Sequence, residues 1–171
     1  MRLVYSEIVT RAVVGKGKIF NNNEVVVNTN NVPSKVLGCW IINHYYVSSY
    51  ENGRAVARGK YDLHIWYGFN GDSDTIVHKQ TIDYIEDFSL KMKNNEDLSE
   101  ENELIIKCVK YPTCTSLNLN DDGTIRIKVE KELNLDVIGE AKLKVHISSN
   151  TEDEWVNGED IDNIDVNYLN K

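Results

Sequence analysis

The residues with most chemistry to offer are four histidines and three cysteines, and their spacing decides whether that chemistry is used. His44, His64, His78 and His146 stand singly in stretches of alternating polarity, with no second His at ligand spacing and no Cys within three residues. A zinc site needs its Cys and His ligands gathered in close clusters, so each reads as an ordinary strand position. Cys39, Cys108 and Cys114 are an odd count, and the last two have five residues between them rather than forming a CxxC pair. They read as buried or half-buried free thiols, or as cross-links between chains once oxidised. Gly15-Lys16-Gly17-Lys18 lacks the spacing of either phosphate-binding glycine loop. Asp72 and Asp74 suggest a calcium loop, but Val77 and Asp83 occupy its sixth and twelfth positions, where Gly and Glu are required. With no GxSxG, no cysteine-nucleophile motif and no paired carboxylates, the chain is expected to be no enzyme and to hold no cofactor and no metal.

The elements that would position these residues are strands. Val36 to Phe69 holds two of the three Trp and five of the nine Tyr. Its second half alternates, with Ala55, Ala57, Tyr61, Leu63, Ile65 and Tyr67 on one face and Arg58, Lys60, Asp62 and His64 on the other. Gly59 falls on the apolar face and marks a bulge or a close backbone approach. Asn52-Gly53 between the halves favours a type I′ hairpin turn. The first arm, Val36 to Val47, is apolar on both faces, as in a central strand or one whose outer face meets a partner. Around it the pattern predicts a strand over Glu7 to Phe20, a turn at Asn21-Asn22-Asn23 and a short strand at Glu24 to Asn28. A turn at Asn70 to Asp74 and a strand at Thr75 to Ile85 complete a three-stranded meander. Phe88, Leu90 and Met92 alternate briefly, and Lys93 to Asn102 is a polar loop or a single helical turn. Strands at Glu103 to Tyr111 and Cys114 to Asn118 are expected to break at Pro112. A third hairpin turn falls at Asn120 to Gly123. The final run sets Ile125, Ile127, Val129, Leu133, Leu135 and Val137 against charged neighbours and continues past Gly139 to Ile147. A strand of that length predicts a bend or turn near Gly139.

The fold class is therefore all-β, an antiparallel sandwich-like domain of roughly eight to ten strands. It is assigned to residues 1–150, with a weak internal duplication of 7–92 and 103–148 and an acidic tail at 151–171. The length of 171 residues suffices for a core without staples. No stretch has the length of a membrane span or the apolar core of a signal sequence, so folding in a cytosol is expected. Seven carboxylates against Lys171 give the tail −6 of the total −8 and leave −2 for the body. A body without a basic cluster argues against nucleic acid as a partner. Glu152, Asp153, Glu154, Trp155, Asp160, Ile164, Tyr168 and Leu169 mix charge with apolar residues, as in a segment that docks on another protein.

A resemblance adds to this reading. Glu7 to Phe20 (EIVTRAVVGKGKIF), Pro33 to His44 (PSKVLGCWIINH), Gly59 to Tyr67 (GKYDLHIWY) and Val137 to Val145 (VIGEAKLKV) resemble the outer spore coat morphogenetic protein CotE family of endospore-forming Firmicutes. The likeness runs from about Glu7 to Ile147 and is to a clostridial member. It implies a non-enzymatic scaffold made in the mother-cell cytoplasm during sporulation and later part of the spore coat. Such a scaffold associates with itself and with basement-layer and outer coat proteins, without inserting in a membrane. Its self-assembly surfaces are expected at Ile8, Val9, Val13 and Val14 of the first strand and at Trp40, Ile42, Tyr46 and Trp66 of the hairpin. A second reading is a small-ligand or carbohydrate-binding sandwich that stacks on Trp40, Trp66, Tyr46 and Tyr67.

Overall fold

The computed structural model describes residues 4–147. In chain order the strands are β1 (Val4–Val27), β2 (Pro33–Glu51), β3 (Arg54–Phe69), β4 (Asp74–Asp87) and β5 (Ser89–Met92). After a 3-10 turn at Lys93–Asn95 come β6 (Glu103–Leu119) and β7 (Ile125–Ile147). They form two antiparallel sheets, one ordered β5-β1-β7-β6 and the other β2-β3-β4. The all-β class holds. Contacts divide the chain into a main unit, Arg11–Ala141, and a smaller one whose described residues are 4–10 and 142–147. No helix among the described residues is long and apolar enough to cross a membrane.

Among the described residues seven strands stand where eight to ten were expected, because predicted breaks are bridged. Asn21-Asn22-Asn23 is no turn but the middle of β1. Pro112 does not end a strand: pairing with β7 slips between Lys110 and Thr113, and β6 is an edge strand. A bulge on an edge is where a residue without an N–H is tolerated in a sheet. The chain likewise makes no turn at Gly139, since β7 runs on to Ile147. The three hairpin turns are where the sequence put them. Asn52 and Gly53 have φ of 51° and 81°, the left-handed pair of a type I′ turn. At the third, the Gly123 N–H donates to the Asn120 carbonyl at 3.0 Å.

β2 is an edge strand rather than a central one, and its double-sided polarity has a local cause. Cys39 and Ile41 face inward opposite Ile65 and Leu63, while Trp40 and Ile42 face outward opposite His64 and Asp62. Between Ile42 and Tyr45 the strand carries one residue more than β3. Asn43 there takes a φ of 54°, and its side chain donates to Asp62 at 2.8 Å. This bulge inverts the phase. Beyond it His44 and Tyr46 face the interior, and Tyr45 and Val47 face out.

The core comprises two buried clusters between the sheets of the main unit. One gathers Val14, Ile19, Ala55, Ala57, Phe88, Leu98, Leu133, Leu135 and Val137. The other gathers Val27, Tyr61, Leu63, Ile65, Tyr67, Ile125, Ile127 and Val129. Along β7 they meet at Lys131, which occupies an inward position and is 3% exposed. Gly59 lies opposite Tyr84 on β4, and a Cβ at Gly59 would stand 2.3 Å from the Tyr84 hydroxyl and 2.7 Å from the Tyr45 carbonyl. The glycine is thus a close approach, as its place on an apolar face suggested. Gly38, in the same sheet, has open space around its Cβ direction. Gly59→Ala should therefore lower unfolding free energy by about 1–3 kcal/mol through overpacking. Gly38→Ala should be neutral or stabilise by up to about 1 kcal/mol. Urea titration of both variants distinguishes the sites, and equal effects would refute the packing account.

Candidate functional site

A belt of polar and aromatic side chains separates the two clusters. Lys131 Nζ lies 2.5 Å from Glu86 Oε1 and 4.2 Å from the centre of the Tyr84 ring. Glu86 Oε1 also accepts from the Asn23 amide at 3.3 Å, while Oε2 is buried without a protein partner. The Tyr84 hydroxyl lies 2.7 Å from His44 Nε2, and His44 Nδ1 is 3.9 Å from Cys108 Sγ. In the tautomer with Nδ1 protonated, Tyr84 donates to Nε2 and Nδ1–H faces the sulfur. The rings of Tyr46, Tyr61 and Tyr111 enclose the imidazole at 4.9 to 6.5 Å. Six strands from both sheets thus meet here: β1 through Asn23, β3 through Tyr61, and β2, β4, β6 and β7.

A thiol beside an imidazole invites comparison with a nucleophile and its base. The electrostatics run the other way. Burial, then the Lys131 charge, lowers the His44 pKa from 6.5 to about 4. Burial pushes the Cys108 thiol up. An activated cysteine needs a depressed pKa next to a cation; here both partners rest neutral, and the dyad is a packing contact. Burial and the Glu86 charge also raise both phenols, Tyr61 to about 12 and Tyr84 further. Among the described residues no group of three or more His, Cys, Asp or Glu is placed to hold a metal ion.

Both sheets mix charged and apolar exposed side chains: Phe20, Ile105 and Val109 are exposed on the four-stranded one, and Lys35 pairs with Asp72, Arg54 with Asp87 and Arg58 with Glu51 on the three-stranded one. On the four-stranded sheet, exposed charges pair between strands: Lys18 with Glu132 at 2.9 Å, Lys107 with Asp136 at 3.0 Å, Arg126 with Glu24 at 3.3 Å, and Lys110 with Glu130. On the three-stranded sheet, Trp40, Ile42, Tyr45 and Val47 line the outside of β2, each about two-fifths exposed or more. Trp66 of β3 continues the strip, and the ring of His64 packs edge-on to Trp40 at 5.6 Å.

The residues singled out from sequence are therefore split. Trp40, Ile42 and Trp66 share the exposed strip. Ile8 and Val9 are exposed in the smaller unit, where Tyr5 packs edge-on to His146 at 5.7 Å. Val14 is core and Val13 half-buried, so neither offers a free surface in the folded chain. Tyr46 is half-buried against the first cluster, and Tyr67 is 2% exposed in the second, which removes both from any stacking platform. Glu152, Asp153, Glu154, Trp155, Asp160, Ile164, Tyr168 and Leu169 lie outside the described residues. Lys131 and Glu86 were missed. The available signal was a lysine at the one step of β7 where alternation calls for an apolar residue.

The family model described as outer spore coat protein E, CotE, matches residues 4–171. The chain belongs to the CotE family. Among curated proteins and solved structures, none matches it significantly. CotE membership gives the chain a role in the spore coat, whose other proteins are its natural neighbours.

For this CotE-family chain the belt makes two measurable claims. Lys131→Met leaves the Glu86 carboxylate buried and unpaired, and should destabilise by about 3–5 kcal/mol. Lys131→Met combined with Glu86→Leu should recover most of that loss in chemical denaturation, and an equally unstable double variant would refute the pairing. The folded state resists protonating His44 down to about pH 4, whereas the unfolded chain takes up that proton near pH 6.5. Stability should hence fall as pH drops through this window, because the unfolded state binds more protons there. His44→Asn should flatten the slope, and an unchanged slope would place its origin elsewhere.

Proposed function

We propose that the chain is a non-enzymatic morphogenetic scaffold of the spore coat that associates with copies of itself and recruits other coat proteins. Family membership supplies the coat. The observation that carries self-association is the apolar strip of Trp40, Ile42, Tyr45 and Val47 on the edge strand β2, continued by Trp66 of β3. Contiguous exposed apolar surface on a folded domain marks an interaction site. An unpaired edge strand beside it adds a row of backbone donors and acceptors for strand addition. The apolar and acidic residues of 151–171 suit the separate task of docking other coat proteins. In this reading the chain is made in the mother-cell cytoplasm and ends in the coat layer.

The carbohydrate-binding alternative fares worse, since of its four stacking rings only Trp40 and Trp66 are exposed. Light scattering across a concentration series tests the proposal on the full chain, on Trp40→Gln with Trp66→Gln, and on a chain lacking 151–171. The full chain should grow in mass with concentration. The double variant should stay smaller at every concentration while its unfolding free energy changes by no more than about 1 kcal/mol, as expected for two surface positions. Loss of 151–171 should leave assembly intact. A full chain that remains monomeric throughout would overturn the scaffold reading.

A further inference from the structure

Cys39 and Cys114 come together although 74 residues of chain separate them. Cys39 is an inward position of β2, paired opposite Ile65, and Cys114 an inward position of β6, paired opposite Val129. These strands are the edges of different sheets, and they run side by side in the main unit. Both side chains are half-buried against the same apolar cluster, and both are free thiols. Across this seam Ser48 donates to the Leu104 carbonyl at 3.0 Å and His44 lies 3.9 Å from Cys108. The same antiparallel progression brings Cys39 to Cys114; burial, then the neighbouring Cys114, raises the Cys39 pKa. The Cys114 sulfur also makes a weak contact to the Ser116 carbonyl at 3.5 Å. Cys108 is elsewhere, beside His44 in the polar belt.

We propose that Cys39 and Cys114 are an intramolecular disulfide site, a clasp that joins the two sheets at the β2–β6 side when the protein meets an oxidant. This is a different use of cysteine from cross-links between chains, and it accounts for the odd count by leaving Cys108 out. The bond forms by exchange with a low-molecular-weight disulfide. One protein thiolate attacks that disulfide and expels one small thiol, giving a mixed disulfide. The second protein sulfur, after losing its proton, attacks the protein-side sulfur and expels the other small thiol. Two protein thiols are oxidised by two electrons in all, and one small disulfide is reduced to two thiols. The raised Cys39 pKa makes its thiolate scarce near neutral pH, so the reaction is slow in the folded state and faster at alkaline pH.

Both thiols already stand against one apolar cluster between neighbouring edge strands. The covalent loop is long, which favours a large stabilisation through the unfolded state. The clasp therefore makes the sandwich harder to open without altering its outer strip.

The test equilibrates the full chain with oxidised glutathione, once folded at alkaline pH and once during refolding, then blocks remaining thiols with iodoacetamide under denaturing conditions. The expected product is a monomer about 2 Da lighter before blocking. One peptide pair should be linked through Cys39 and Cys114, and Cys108 should carry the blocking group. Its melting temperature should rise by roughly 10 °C, reversibly with a reductant. Cys108→Ser should keep the bond and the shift, whereas Cys39→Ala and Cys114→Ala should each lose both. Disulfide-linked dimers as the main product, a bond involving Cys108, glutathione adducts alone, or three free thiols after refolding would each overturn the proposal.

Discussion

The pairing of Lys131 with Glu86 is the constraint around which the main unit is arranged. An ammonium group with 3% exposure has given up nearly all its water, and only a close carboxylate and the face of Tyr84 offset that loss. The pair also resolves an ambiguity that hydrophobic burial leaves open. The inward residues of β7 repeat every second position, so slipping the strand by two residues would return an apolar side chain to almost every inward place. Of the inward residues only Lys131 would lose a charged partner, while the ion pairs on the outer face would break with it. Burial selects the face of β7, and the ion pair selects the register.

The belt around that pair depends on two adjustments in the neighbouring sheet. Gly59 leaves the space into which the Tyr84 ring leans, bringing its hydroxyl to His44. The extra residue at Asn43 turns His44 inward to meet it. Each departure from regular strand geometry is answered by a specific contact across the interface. Together they let polar groups bridge the sheets at the place where two apolar clusters meet.

Much of this was legible in the sequence, because strand alternation and Asn-Gly turns are local signals. The inward residues of β3 and β7 follow from period-two patterning, and the three hairpin turns that make the meander follow from their Asn, Asp and Gly residues. What misled was also local. Asn21-Asn22-Asn23 and Pro112 have turn chemistry, but in long strands that chemistry is overridden by pairing or absorbed by an edge bulge. The apolar strip was visible as a strand greasy on both sides, yet assigning Tyr46 inward and Trp40 outward required knowing where the phase inverts. The belt was the least legible part, since His44, Glu86, Cys108 and Lys131 are distant in sequence and none forms a motif. Val14 joined the assembly candidates for the same reason: an apolar residue in a first strand looks alike whether it meets a core or another chain.

The bulge at Asn43 also sets what kinds of sequence change β2 can absorb as the family diverges. Replacing one apolar residue by another on either side of it leaves the inside and outside of the strand as they are. Deleting Asn43 would restore regular pairing with both faces kept, whereas straightening the strand there with its residue count unchanged would exchange the two faces over the rest of the arm. His44 and Tyr46 would then face solvent, and Tyr45 and Val47 would be driven into the core. The strand thus accepts apolar exchanges on either face, and what the rest of the arm depends on is the left-handed backbone at Asn43.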